Sequence, residues 1–323
     1  MPERGWRTGS GLGVHLAAVG LAALLASCGA TVPGPVPTRA PSTTRPTEPA
    51  APTPTALLSP TPAHPCGLAG TGPPQLLHVV LIVMENRSYQ SVIGSSQAPF
   101  VNQIASQCGL ATNYQAVAHP SLPNYIALTS GGTQGISDDG PPTANPVAAP
   151  SIFSLLNGNW RSLEESMPSN CAQQSSGEYA VKHNPAAYYT EVASQCASRD
   201  VALVNPPNIS AAFTLITPNL CDDMHDCSTA AGDTWLAREI PLLLSTAQYS
   251  SGNTAIFITW DESDGSTQQV PTLVIAPTVP AGIRVATAYT HYSLLRTIEQ
   301  LLQLSPLLGQ AATATSMASG FNL

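Results

Sequence analysis

The chain has 323 residues, 43% of them hydrophobic and only 9% charged, which is enough apolar material to bury one substantial core, so one large domain is expected. A net charge of −8 and a pI of about 5.2 exclude nucleic acid as a partner, because a phosphodiester backbone is held by clustered Lys and Arg. The same field repels an anionic ligand, so if the ligand is an anion it has to be neutralised locally, most simply by a metal cation.

In chain order, Arg4 and Arg7 precede an apolar run from Leu12 to Ala26 that is short for a membrane-spanning helix and reads as a targeting segment. The run ends in Leu25-Ala26-Ser27-Cys28, which resembles a bacterial lipobox; residues 1–28 are then a lipoprotein signal peptide, with Cys28 the lipidated attachment to the membrane. An ordinary secretory signal with an incidental cysteine is the competing reading, and either one takes the protein out of the cytoplasm. Residues 31–65 carry eleven prolines among Thr, Ser and Ala, so 29–72 is read as a semi-extended tether with no core of its own. The six cysteines beyond Cys28 contain no CxxC pair and favour disulfides over zinc. Local spacing suggests Cys221 with Cys227 and Cys171 with Cys196, leaving Cys66 to join Cys108.

From Pro73 to the end, short Val- and Ile-rich runs alternate with stretches of helical spacing, the pattern of an α/β domain. Leu76–Met84, Ala211–Thr217, Asn253–Trp260 and Pro271–Ala276 read as buried strands, and Ala111–Val117 as a weaker one. A helix is expected near Asp233, interrupted by Pro241. Another follows a capping Thr290, with Leu294, Leu295, Ile298, Leu301 and Leu302 on one face.

Ligands of open parallel sheets bind beyond the carboxyl ends of the strands, which directs attention to the residues just after each apolar run. The first strand ends in Glu85-Asn86, and the strand through Thr259 and Trp260 ends in Asp261-Glu262. Three carboxylates and an amide form a hard-oxygen set suited to one divalent cation, with Mg, Ca, Mn and Zn all compatible; the competing role for each acid is capping the next helix. Ser121, in His119-Pro120-Ser121-Leu122-Pro123-Asn124-Tyr125, stands at a strand-loop-helix junction where the dipole favours an anion. It is a candidate nucleophile, with helix capping as its competing role. His183 and His225 fall in loops at strand ends, and Asp222 and Asp223 are placed to orient His225 or to form a turn; Met224 and Trp260 read as packing.

Glu85-Asn86-Arg87-Ser88-Tyr89, the His119–Tyr125 block, His183-Asn184-Pro185, Pro218-Asn219-Leu220 through Asp223-Met224-His225-Asp226, Trp260-Asp261-Glu262 and Thr290-His291-Tyr292-Ser293 occur in an order that resembles the bacterial phosphoesterase family. That family contains acid phosphatases and phosphatidylcholine-type phospholipases C and is similar in fold to alkaline phosphatase. The resemblance implies a three-layer α/β/α sandwich with a central, largely parallel sheet. It also implies a metal held by Glu85, Asn86, Asp261 and Glu262, and Ser121 as both nucleophile and ligand. His183 and His225 would lie near the transferred phosphoryl group, with Asn124 among its amide donors. The late pair is Asp-Glu here, whereas the acid phosphatases have Asp-Asp.

The expected activity is metal-dependent hydrolysis of phosphate monoesters through a phosphoserine. Its alternatives are a phosphodiesterase or phospholipase C acting on lipid headgroups or cell-wall phosphodiesters, and a non-catalytic solute-binding lipoprotein. No GxSxG, HExxH or P-loop motif occurs.

Overall fold

A computed structural model of the chain describes Gly34 and residues 59–68 and 75–323. The expected signal segment with Cys28 and most of the Pro-rich stretch lie outside these residues. The eight-stranded sheet has the order β5-β4-β6-β1-β7-β8-β2-β9. Its members are β1 (His78–Met84), β2 (Gly109–Ala111), β4 (Trp160–Glu164), β5 (Asp200–Ala202), β6 (Phe213–Thr217), β7 (Thr254–Trp260), β8 (Thr272–Ile275) and β9 (Arg284–Val285). A separate parallel pair joins β3 (Tyr114–Gln115) to β10 (Tyr289–Thr290).

β1, β4, β5, β6 and β7 all run parallel, while β8 is antiparallel to both its neighbours. Six of the seven residues of β1 are fully buried, and so is the whole of β7, as continuous apolar runs require when both sheet faces are covered. The cover comes from α1 (Tyr89–Val92), α2 (Pro99–Gln107), α3 (Ser121–Ser130), α4 (Ile152–Leu155), α5 (Ala193–Arg199), α6 (Thr229–Leu244), α7 (Ala247–Ser250), α8 (His291–Leu301) and α9 (Ala318–Phe321). α3 packs with α8 and α2 with α6, the helical cover of a three-layer α/β/α sandwich.

The four strong strand expectations hold within two residues. Ala111–Val117 is instead divided, with Ala111 ending β2 in the main sheet and Tyr114–Gln115 forming β3 in the small one. The helix expected near Asp233 starts at Thr229, because Ser228 accepts a hydrogen bond from Ala231 N, and it runs through Pro241 to Leu244. Proline is tolerated there because Ala237, whose carbonyl loses its partner, is exposed.

The three disulfides are Cys66–Cys108, Cys171–Cys196 and Cys221–Cys227, the pairing that local spacing suggests and the mark of an oxidising compartment. Residues 59–68 close the domain's edge: besides the Cys66 bridge, Gly67 N and Leu68 N donate to Val279 O and Pro277 O. Among the described residues no helix is long and apolar enough to cross a membrane.

Candidate active site

β1 lies between β6 and β7, and its register pairs Met84 with Trp260, so Glu85 and Asp261 leave the sheet abreast. The backbone fixes that arrangement: Asp261 N donates to Met84 O at 2.9 Å and Glu85 N to Asp223 O at 2.8 Å. Asn86 N donates to Asp261 Oδ1 at 3.1 Å, from a left-handed backbone (φ 49°) that asparagine tolerates better than most residues.

Every residue of α3 is buried, and the helix ends at Gly131 (φ 74°), where a Cβ would come within 2.3 Å of Leu308 O. Pro120 occupies the cap position and Ser121 is the first helical residue, so its hydroxyl is not spent on capping. The hydroxyl donates to Glu85 Oε2 at 3.0 Å and lies 3.5 Å from Glu262 Oε1. Tyr125, one turn on, donates to the other oxygen of Glu85 at 2.6 Å. Two strand ends and a helix N-terminus thus bring Glu85, Asp261, Glu262 and Ser121 into one cluster.

Burial opposes ionisation of Glu85, but His183 at 3.3 Å and the Tyr125 hydroxyl bring its carboxyl down to about 2. His183 is held at its other nitrogen by Asp223 at 3.2 Å; burial works against its charge, yet Glu85 and Asp223 raise it to about 10. Burial, then the charges of Glu85 and Glu262, push the Asp261 carboxyl well above its ordinary range. Asp261 Oδ2 is buried without a hydrogen-bond partner. Buried acids crowded beside one imidazolium, one of them with an uncommitted oxygen, are what a divalent cation would complete. Glu85, His183 and His225 also bring one donor atom each within 4.8 Å of one another. The oxygen set fits better, because both nitrogens of His183 already face carboxylates and those of His225 face Asp226 and Lys182.

Several expected roles change. Asn124 is not free to donate to substrate: its Oδ1 accepts from Val117 N and Ala118 N, and its Nδ2 donates to Ala118 O and Pro120 O, so it shapes the loop before Ser121. Asp223, placed to orient His225, faces the ring of His183, and only its Oδ1 accepts from His225 N. Asp222 turns toward Arg238 at 3.7 Å. The His225 ring rests between Asp226 Oδ1 at 2.6 Å and Lys182 Nζ at 3.2 Å. Met224 and Trp260 are fully buried packing residues.

Other residues around the site were given no individual role by the sequence. His119 pairs through Nδ1 with Glu262 Oε2 while remaining exposed, and Asp139 accepts from Leu122 N at 3.0 Å. His291 donates to Asp261 O at 2.7 Å and accepts from the Tyr114 hydroxyl at 3.0 Å, and burial lowers its pKa to about 4, so it is a neutral strut. Arg87 is spent on Asn86 O, Cys227 O and Thr229 Oγ1.

The sheet, the buried acids and the uncapped serine define a hydrolase of phosphate esters with an alkaline phosphatase-like fold. The model of the phosphoesterase family matches residues 95–305, and the chain belongs to that family. It is 36% identical over 255 residues to a phosphatidylinositol-3-phosphatase of Mycobacterium tuberculosis, covering 77% of this chain and 84% of that one. It is 29% identical over 242 residues to an acid phosphatase of Aspergillus fumigatus, covering 67% of this chain and 52% of that longer one. Among solved structures, an alkaline phosphatase superfamily protein from Vibrio parahaemolyticus superposes with a TM-score of 0.52 at 9% identity, over 75% and 71% of the two chains. The lipoteichoic acid synthase LtaP of Listeria monocytogenes gives 0.53 at 9%, over 74% and 76%. These two likenesses concern the fold.

Proposed function

We propose that the protein is an exported, metal-dependent phosphatase that hydrolyses phosphate monoesters through a phosphoseryl intermediate on Ser121. The observation that carries this reading is the Ser121 hydroxyl, released from capping by Pro120, 3.0 Å from Glu85 Oε2 and 3.5 Å from Glu262 Oε1. Glu85, Asn86, Asp261, Glu262 and Ser121 would hold one divalent cation. Bound there, it supplies Lewis-acid polarisation of a phosphoryl oxygen and favours the serine alkoxide. Ser121 Oγ attacks phosphorus in line, the bond to the leaving oxygen breaks, and that oxygen takes a proton from the exposed imidazole of His119, since both ring nitrogens of His225 are engaged by Asp226 and Lys182. Water then attacks the phosphoserine, releasing phosphate and restoring Ser121. His183 is too tightly held for this proton transfer, and orients Glu85 instead.

The curated relatives reported above are named a phosphatidylinositol-3-phosphatase and an acid phosphatase, names that support phosphatase over phosphodiesterase or phospholipase C chemistry. The name of the mycobacterial relative supports a phosphoinositide headgroup as one substrate, and lipidation at Cys28 would keep the domain near such a surface. A solute-binding role without turnover leaves the uncapped serine unexplained. Nitrophenyl phosphate, its phosphodiester analogue, phosphocholine esters and phosphatidylinositol 3-phosphate, each assayed with and without chelator, test the reading. The expected result is chelator-sensitive hydrolysis of the monoesters; equal or faster cleavage of the diesters would replace it.

A further inference from the structure

The Arg87 guanidinium is spent on Asn86 O, Cys227 O and Thr229 Oγ1, yet a dianionic phosphoryl group next to buried carboxylates calls for a protein cation. Across 323 residues there is a single lysine, Lys182, and it stands here. It directly precedes His183 in the turn Val181–His183, and its side chain is only 19% exposed. Its ammonium donates to Asp139 Oδ2 at 3.1 Å. The other oxygen of Asp139 accepts from Leu122 N at 3.0 Å, one residue beyond Ser121, so one carboxylate ties the ammonium to the helix terminus that carries the nucleophile. Lys182 Nζ also lies 3.2 Å from His225 Nε2. An ammonium can only donate, so Nε2 is the acceptor and the His225 proton sits on Nδ1, where Asp226 takes it at 2.6 Å. A lone, largely buried ammonium fixed by two oriented partners is a built feature, unlike a solvated surface lysine.

We propose that Lys182 is a catalytic residue of this chain, donating a charge-assisted hydrogen bond to an oxygen of the phosphoryl group attacked by Ser121, with Asp139 as the residue that positions it. This rests on the phosphatase reading above and adds the group that replaces an arginine clamp. Because the ammonium keeps its charge throughout, it contributes at ground and transition states alike. Its loss should therefore raise KM and weaken inhibition by inorganic phosphate.

Lys182→Met is expected to lower kcat/KM for nitrophenyl phosphate by about 10- to 100-fold, the range of a charge-assisted hydrogen bond. Its phosphate inhibition constant should rise in step, and Lys182→Arg should recover part of both. Having one ε-amine also permits a direct reading on the unaltered protein: amine acylation followed by peptide mass spectrometry should label Lys182, and inorganic phosphate should protect it. This second measurement decides the matter even if the Met variant fails to fold. A Met variant with wild-type kcat/KM and phosphate inhibition, or labelling indifferent to phosphate, would overturn the role of Lys182 while leaving the phosphatase reading intact. Failure of the wild-type protein to cleave the ester would overturn both.

Discussion

Ser121 owes its availability to Pro120. In most helices a serine at such a junction is consumed by the backbone amides of the first turn; here the proline takes the cap position and the hydroxyl turns to Glu85 and Glu262. Asp261 shows the complementary economy, with one oxygen engaged by Asn86 N and the other buried and unpaired. Asp261→Asn should cost both the bound metal, measured by elemental analysis, and at least about 100-fold in turnover, since a neutral amide replaces a charged ligand. Retention of full metal content and rate would place the cation elsewhere, for instance on Glu85, His183 and His225. Glu85, Asp261, Glu262 and Ser121 were legible in the sequence because each follows an apolar run or opens a helix. The roles of Lys182 and Asp139 were not, since loop residues obey no periodicity and the partners of the ammonium are 43 residues away.

Elements decide which of those residues meet. The contiguous strands β6, β1 and β7 deliver Asp223, Glu85 and Asp261 from segments far apart in sequence, and all three strands are readable as unbroken apolar runs. β4 was hidden because Arg161, Ser162 and Glu164 interrupt its pattern, and β5 and β9 because edges of three and two residues carry no pattern at all. The polar residues of this sheet region have a reason: Asp200 accepts from Asn184, next to His183, at 2.8 Å, while Ser162 donates to Glu164 at 2.7 Å. Burial moves the Asp200 carboxyl from its ordinary 3.8 up to about 7, and the folded state therefore binds its proton more tightly than the unfolded chain does. That contribution is complete below pH 3.8 and is lost as the pH rises through about 7. Thermal unfolding across that window should show wild type losing more stability with rising pH than Asp200→Asn. Parallel curves would mean that Asp200 titrates in the fold as it does in the unfolded chain.

At the scale of the whole molecule, an acidic chain with three disulfides encloses an anion-binding site that its own charge of −8 disfavours. In the proposed mechanism, local positive charge comes from a cation on the buried carboxylates and from Lys182. The proposed reaction requires that the Ser121 hydroxyl receive the phosphoryl group. Acid-quenched turnover of a monoester, followed by peptide mapping, should find one phosphoryl group on Ser121, absent after chelation and absent from Ser121→Ala, which should also have lost turnover. A phosphoryl group on another side chain, or undiminished hydrolysis by Ser121→Ala, would contradict it.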